Sequence, residues 1–195
     1  MKLIIAGATG FVATEVIRLA LSNPRVTSVI ALARRITPVP QNTARGAGIS
    51  KLKAVACDDF EEYPEDVKKE LSNADACIWL LAVTPSKSKT MYWEEGKVES
   101  FVLNYAKESK GEVESAVAKP GLINAPGKMS MAMNILSRFG HTAVGFPMVD
   151  VSEVAATLID QSLNGFEKDT LLNDDLIRIG QKALAEQQTI LGGTV

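Results

Sequence analysis

The chain has 195 residues, 46% of them hydrophobic, and its 21 Lys and Arg nearly balance 23 Asp and Glu, giving a formal net charge of -2. That balance argues against nucleic acid or an anionic membrane as a partner, and a small-molecule substrate is expected instead. No run of 18 apolar residues predicts a membrane span, and the first residues lack leader features. We therefore expect a cytoplasmic protein with one domain, residues 1–195.

The first half of the chain alternates between strand-like and helical patterns. Apolar strand-like runs occupy residues 2–7, 26–33, 51–57 and 75–83. Amphipathic helical runs occupy residues 10–22, between the first two strands, and 65–72, between the last two. Strands this apolar are typical of parallel sheets that are covered on both faces. The segment 36–50 has neither period and predicts a surface connection. The pattern predicts a doubly wound α/β fold with a mainly parallel, Rossmann-type sheet.

The second half continues with fewer strands. A helix is predicted from 87 to 109, where Met91, Val98, Phe101, Val102 and Tyr105 share one face. Strand character returns at 113–123, and 124–195 is expected to form a small C-terminal portion on the substrate side. Within it, one helix begins at a Ser or Asp cap and ends at Gly165, and the last runs from about Asp174 to Leu191. The last helix is expected to pack on the sheet or on a second subunit.

The two cysteines, Cys57 and Cys77, fall in separate predicted strands. Neither has a His or Cys at metal-ligand spacing, so we expect buried thiols and no metal site.

The turn between the first strand and the first helix has the glycine pattern of a phosphate-binding loop. Gly7 permits a tight turn, and Gly10 lets the backbone N–H groups at the helix start approach a pyrophosphate. Ala13 takes the third position, so the spacing is G-x-x-G-x-x-A. Such a turn also joins strands to helices without any ligand, and the two interpretations are evenly matched on the turn alone.

The ends of the next strands carry polar side chains. Arg34 and Arg35 stand where a site for NAD would place an acidic residue, so their forked donors favour the 2′-phosphate of NADP. The alternative is a pair of solvated arginines. Asp58 and Asp59, followed by Phe60, occupy the position of an adenine edge, although a plain acidic turn fits nearly as well.

The fourth strand ends in two small apolar residues before a threonine. A nicotinamide ribose fits against the backbone there, because ligands of open α/β sheets bind outside the carboxyl ends of the strands. The residues are Ala82 and Val83.

These segments together resemble the atypical short-chain dehydrogenase/reductase superfamily, NAD(P)-binding proteins of the epimerase-like type. The resemblance rests on "GATGFVA", "LARR", "CDDF", "KPGLI" and "FPMVDVSEVAATLIDQSLNG", and it covers most of the chain. It implies cofactor contacts at Gly7, Thr9, Gly10, Phe11, Val12, Arg34, Arg35, Asp58, Pro120, Gly121 and Leu122.

The family's catalytic segment is missing. The resemblance implies a Ser or Thr on a fifth strand and a Tyr-x-x-x-Lys pair on the next helix, but Tyr63, Tyr92 and Tyr105 each have Lys at the fifth following position. Residues five apart lie about 140° apart around a helix and do not share a face. We therefore expect a sheet shortened by about one strand and one helix, with Val113–Lys119 beside the fourth strand.

The expected function is an NADP(H)-binding protein of the short-chain dehydrogenase/reductase type that reduces a small carbonyl compound. The catalytic residues are unknown; Tyr92, Tyr105, Lys97, Lys110 and His141 are weak candidates for a replacement acid. One alternative is a non-catalytic NADP-binding sensor or interaction protein. Another is a truncated or alternatively spliced product with an unstable sheet edge. A second subunit in a homodimer that covered such an edge would explain how a shortened sheet persists.

Overall fold

The computed structural model describes residues 1–44, 47–81, 91–125 and 147–192, and at 91–96 and 190–192 the description is confined to the backbone. No helix in these ranges is long and apolar enough to cross a membrane. No group of three metal-ligating side chains occurs among the described residues either.

The first half of the chain builds a four-stranded parallel sheet. Its elements are β1 (Lys2–Ala6), α1 (Phe11–Ser22), β2 (Ser28–Ala33), a 3-10 turn (Ile49–Lys51), β3 (Leu52–Ala56), α2 (Glu65–Leu71) and β4 (Ala76–Trp79). The strand order is β3-β2-β1-β4, and all three pairings are parallel. The predicted doubly wound α/β architecture is confirmed, because each parallel pairing needs a crossover on one face of the sheet.

In the described residues of the second half, the chain adds three helices and two short strand pairs. Its elements are α3 (Met91–Glu108), β5 (Val117–Lys119), β6 (Leu122–Asn124), β7 (Met148–Asp150), α4 (Val151–Asn164), β8 (Thr170–Leu172) and α5 (Asn173–Gly192). β5 pairs in parallel with β8, and β6 pairs in parallel with β7. Among the described strands, β4 therefore has a neighbour on one side only, the side of β1.

The expected position of Val113–Lys119 beside the fourth strand is wrong. Residues 113–116 are not in a strand, and β5 takes β8 as its partner, with Val117 opposite Thr170. The loop after β5 is also tied to the β8–α5 junction, where the Gly121 N–H donates to the Asn173 side-chain oxygen at 2.9 Å. Those contacts hold β5 in the C-terminal part of the chain and leave the outer edge of β4 without it.

The two faces of the main sheet bury different clusters. Leu3, Ile5 and Val29 belong to a cluster that also contains buried residues of α1 and α4. Ile4 and Leu32 point to the opposite face, where α2 contributes Val67. The alternation follows from the two-residue period of a strand, and it explains why these strands are apolar at nearly every position.

The cysteines differ from each other in burial. Cys57, just after β3, is 5% exposed, as predicted. Cys77 in β4 is exposed, so its prediction is wrong. The atoms packed around its thiol nevertheless raise the pKa of Cys77 to about 11, so the thiol stays protonated at neutral pH.

The ends of α4 match the sequence prediction. Asp150 is the N-cap, and its backbone N–H donates to the Glu153 carboxylate at 2.9 Å. Gly165 follows the last turn with φ of 87°, a conformation that glycine adopts without strain.

A buried carboxylate holds the start of α5. Asp175 accepts from the Lys168 ammonium at 2.6 Å and from the Leu172 backbone N–H at 3.0 Å. The Lys168 hydrogen bond is the main reason that the pKa of Asp175 lies below its ordinary value of 3.8, and the Leu172 N–H adds to it. The ionised form therefore stabilises the fold above that ordinary value, and the contribution is lost as pH falls through the lowered pKa.

We expect Asp175→Asn to lower Tm at pH 7, and the two melting curves to converge as the pH falls below about 4. Thermal unfolding followed by circular dichroism across this range measures the difference. Asp174→Asn is the matched control, because Asp174 is exposed in the same helical turn. A difference in Tm that is constant with pH would contradict the assignment.

Candidate functional site

The turn after β1 is held by the neighbouring strands. The N–H groups of Gly7 and Ala8 both donate to the Leu32 carbonyl oxygen of β2, at 3.0 and 3.2 Å. Gly7 has φ of 81°, and a Cβ there would lie 2.8 Å from the Leu80 carbonyl oxygen beyond β4. Glycine is required at this position by backbone conformation and by space, independently of any ligand.

Gly10 has a different environment. It is the N-cap of α1, with φ of -71°, and among the described residues a Cβ at this position would meet only the Gly7 carbonyl oxygen, at 3.4 Å. Its neighbours Thr9 and Phe11 are exposed. Neither the fold nor the backbone demands glycine here, so the open space at the helix start is available to a ligand.

The N-terminus of α1 carries no compensating charge of its own. Acidic residues occupy the first turns of α2, α4 and α5, but the first turn of α1 has none, and no side chain caps it. The first N–H groups of a helix have no partner within the helix, and their dipoles favour an anion. The start of α1 is thus built to accept a negative group from outside the helix.

The end of β2 presents two exposed cations beside a buried hydroxyl. Arg34 and Arg35 directly follow the strand, and neither makes an ion pair within the described part of the chain. Thr37 is only 7% exposed, and its hydroxyl has no hydrogen-bond partner among the described residues. A buried polar atom without a partner is costly, so the Thr37 hydroxyl is expected to have a partner outside the described residues. Sequence reasoning missed it, because nothing local predicts its burial.

The acidic turn after β3 contains Asp58 and Asp59. The Asp59 carboxylate accepts from the Glu61 N–H at 2.7 Å, and the Asp59 carbonyl accepts from the Cys57 thiol at 2.8 Å. Asp59 therefore contributes to the turn, and its side chain is exposed. Asp58 is exposed and remains available to a ligand.

Three aromatic rings meet on this side of the sheet. Phe60 contacts Tyr63 and Trp79 edge-on, with ring centroids 6.3 Å apart in both pairs. Trp79 is the last residue of β4, is 52% exposed, and lies opposite Ala6, the residue before Gly7. The sequence predicted Phe60 at this site but not Trp79. The contact between the two rings depends on the path of the 57–64 loop, which has no local signal in the sequence.

The structure describes only some of the remaining residues that are predicted to contact the cofactor. Ala82 and Val83 lie outside the described residues. Pro120 and Gly121 connect β5 to β6. Leu122 is the first residue of β6, and its N–H donates to the Pro147 carbonyl oxygen at 2.9 Å.

The start of α1 reaches the C-terminal part of the chain. Val12 packs against a buried cluster that contains Val149 of β7 and Leu171 of β8, with Ala118 and Ile123 at its edge. This packing brings the elements around the Pro-Gly loop to the first turn of α1.

No described Tyr and Lys form a hydrogen-bonded pair. The pKa of Tyr63 is raised, mainly by burial, which opposes ionisation of the phenol. Tyr105 is 57% exposed on α3, and Lys110 follows that helix with φ of 55°. The side chain of Tyr92 and the whole of His141 lie outside the description. Within the described ranges, the structure thus shows no Tyr–Lys pair.

Proteins of known structure share this architecture. No family model matches the sequence. In solved structures, the PhqB reductase domain from Penicillium fellutanum superposes with a TM-score of 0.67 at 15% identity, over 99% of this chain and 78% of that one. The short-chain dehydrogenase/reductase YIR035C from Saccharomyces cerevisiae superposes with a TM-score of 0.54 at 13% identity, over 91% of this chain and 98% of that one. The chain has the short-chain dehydrogenase/reductase fold.

A curated relative adds a length comparison. Protein FMP52, mitochondrial, from Candida albicans is 25% identical over 232 residues, an alignment that covers 92% of this chain and 98% of that protein. The alignment is longer than the 195 residues of this short-chain dehydrogenase/reductase-like chain, so it contains positions that the chain skips. The resemblance predicted from the sequence is confirmed at the level of the fold.

Proposed function

We propose that this protein binds NADP(H), with the pyrophosphate at the Gly7–Gly10 turn. The observation that carries the proposal is the exposed start of α1, which has a glycine N-cap, no acidic residue in its first turn and no capping side chain. An anion placed there receives hydrogen bonds from the free N–H groups and is favoured by the helix dipole. The absence of a side chain at Gly10 fits such an approach, because among the described residues a Cβ there would contact only the Gly7 carbonyl oxygen, at 3.4 Å.

The end of β2 supports NADP(H) over NAD(H). Arg34 and Arg35 present forked cationic donors that have no ion-pair partner among the described residues, and such donors match a phosphate better than a ribose hydroxyl. The buried Thr37 hydroxyl supplies a further donor that the described protein leaves unused. No acidic residue follows β2 to bind a free 2′-hydroxyl.

The rest of the cofactor is assigned to the other strand ends. Asp58 and the Phe60–Trp79 pair offer a carboxylate and aromatic surface to the adenosine half. Thr9, Phe11 and Val12 border the pyrophosphate, and the Pro120–Leu122 loop is proposed to border the nicotinamide half. When bound, NADPH supplies a hydride, and this chain's residues fix its position and orientation.

We propose reduction of a small carbonyl compound as the activity, supported by the likeness to a reductase domain and to a short-chain dehydrogenase/reductase. The lack of a paired Tyr and Lys among the described residues predicts slow turnover. Loss of a positioned general acid typically costs about 10²- to 10⁴-fold in rate.

A non-catalytic NADP(H)-binding protein is the second candidate. Two observations favour it. Strand β5 pairs with β8 and not with β4, and the alignment with FMP52 is longer than the chain. Both observations agree with loss of the segment that carries catalysis, while the phosphate turn is retained.

The cofactor proposal is tested by titrating the protein with NADPH and NADH and following nicotinamide fluorescence. Replacing both Arg34 and Arg35 by Ala is expected to weaken NADPH binding about 100-fold, because charge-assisted hydrogen bonds to the 2′-phosphate are lost. NADH binding should change little. Lys182→Ala, which removes an exposed cation from α5, is the control. Equal losses for both nucleotides would contradict a 2′-phosphate site.

The two candidates are separated by the consumption of NADPH in the presence of a panel of small aldehydes and ketones. Turnover that the Arg34, Arg35 double variant loses would support the reductase. Tight NADPH binding without turnover on any carbonyl compound would support the binding protein.

We propose a cytoplasmic location separately, on the sequence pattern alone. The name of FMP52 places that relative in mitochondria. Fractionation of cells that carry a tagged copy decides between the two compartments.

A further inference from the structure

The Pro-Gly loop, residues 120–121, lies where the chain passes from one short strand pair to the other. Strand β5 ends at Lys119, opposite Leu172 of β8, and β6 begins at Leu122, opposite Met148 of β7. The loop therefore belongs to neither ladder of backbone hydrogen bonds. Proline has no backbone N–H, so the N–H of the glycine is the donor of the loop that needs a partner.

The side chain of Asn173 supplies that partner. Asn173 is the first residue of α5 and directly follows β8. Its Oδ1 accepts from the Gly121 N–H at 2.9 Å, and its Nδ2 donates to the Met148 carbonyl oxygen of β7 at 3.4 Å. An amide side chain carries both an acceptor and a donor, so this one residue joins the loop to both strand pairs.

The space around Gly121 shows how closely the loop is held. A Cβ at Gly121 would overlap the Pro147 carbonyl group and would lie 3.0 Å from the Asn173 Oδ1. The Leu122 N–H donates to the same Pro147 carbonyl oxygen, at 2.9 Å. The loop is thus packed against the start of β7 and hydrogen-bonded to the start of α5.

The strands around the loop are anchored at the start of α1. Val12, the second residue of α1, packs against an apolar cluster to which each of the four short strands contributes one residue. Those residues are Ala118 of β5, Ile123 of β6, Val149 of β7 and Leu171 of β8. Val12 is two positions after Gly10, where the pyrophosphate is proposed to bind. The packing therefore sets the four strands against the helix turn that borders the pyrophosphate, and Asn173 sets the loop against the strands.

We propose that Asn173 is a positioning residue for the nicotinamide half of the cofactor. The inference rests on the proposed NADP(H) site, in which residues 120–122 border that half. Asn173 acts through the loop, which carries the half-buried Pro120 ring and leads to the 41% exposed Leu122 side chain. The adenosine half is assigned to residues after β2 and β3, and the two hydrogen bonds of Asn173 reach neither segment.

Separate titrations with NADPH and with 2′,5′-ADP, a fragment that lacks the nicotinamide half, test the proposal. Asn173→Ala removes both hydrogen bonds and should weaken NADPH binding about tenfold, because the loop is no longer held in the position that the bound ring requires. The affinity for 2′,5′-ADP, measured by calorimetry, should stay unchanged. The fluorescence of bound NADPH should also move towards that of free NADPH, since the ring is less shielded from water.

Two further variants separate positioning from stability. Asn173→Asp keeps an acceptor for the Gly121 N–H and should retain most of the NADPH affinity. Asn173→Ser is too short to reach Gly121, but serine suits a helix start, so this variant should fold and show the same selective loss as Asn173→Ala. Asp174→Ala, which changes the exposed neighbour in the same helical turn, is the matched control and should bind both ligands normally. Circular dichroism at the titration temperature verifies that each variant is folded.

The outcomes distinguish this inference from the cofactor site on which it rests. Equal losses for NADPH and 2′,5′-ADP in the alanine and serine variants, or no loss for either ligand, would overturn the role of Asn173 and leave the cofactor site standing. An aspartate variant as weak as the alanine variant would overturn that role as well. If the unmodified protein binds neither NADPH nor 2′,5′-ADP, the proposed function fails and the inference fails with it.

Discussion

Replacing Gly7 by Ala is expected to destabilise the whole protein. The residue has φ of 81°, and its new Cβ would lie 2.8 Å from the Leu80 carbonyl oxygen. The backbone strain and the forced movement of β4 against the turn together cost about 3 kcal/mol or more. The same movement displaces the N–H groups that Gly7 and Ala8 direct at Leu32, so nucleotide binding should be lost as well.

Gly10→Ala is the matched control for this change. Gly10 has a negative φ and ordinary space for a Cβ, so the variant should unfold at the same denaturant concentration as the unmodified protein. Chemical denaturation followed by circular dichroism measures both variants. Equal stability of the Gly7 and Gly10 variants would show that the turn does not constrain β4 in the way described.

Replacing Gly180 by Ala is expected to destabilise the protein as well, through the packing of α5 on α4. Gly180 lies where α5 crosses α4, and a Cβ there would overlap the backbone of Glu153. Alanine gains about 1 kcal/mol of helix propensity over glycine. The helices must nevertheless move apart, and the lost packing should outweigh that gain by about 2 to 3 kcal/mol.

The measurement is again the free energy of unfolding, with Lys182→Ala as a control on the exposed side of α5. That control should stay close to the unmodified protein. A Gly180→Ala variant that is more stable than the unmodified protein would show that propensity dominates and that α4 and α5 are not in tight contact at this point.

The sequence predicted the features that depend on local pattern. The order of strands and helices through β4, the glycines of the turn and the caps of α4 follow from periodicity and from the preferences of Gly and Asp. The arginines after β2 were predictable for the same reason, because a strand end fixes the edge of the sheet at which they emerge.

The features that the sequence could not predict depend on contacts between distant segments. The pairing of β5 with β8 joins residues about fifty positions apart, and short strands have no local signal for their partner. The burial of Thr37 and the contact of Phe60 with Trp79 depend on the paths of two loops. From the sequence, Gly180 is only a residue of low helix propensity. Its need for a missing side chain follows from the backbone of Glu153, which lies against it in the fold.

The central claim is that the start of α1 holds the pyrophosphate of NADP(H). Its most direct test is a titration of the unmodified protein and of Gly10→Ala with NADPH, followed by nicotinamide fluorescence. We expect saturable binding by the unmodified protein, and at least about tenfold weaker binding by an equally stable variant, because the methyl group occupies the space of the phosphate. Absence of NADPH binding by the unmodified protein, or equal affinity of the two proteins, would contradict the claim.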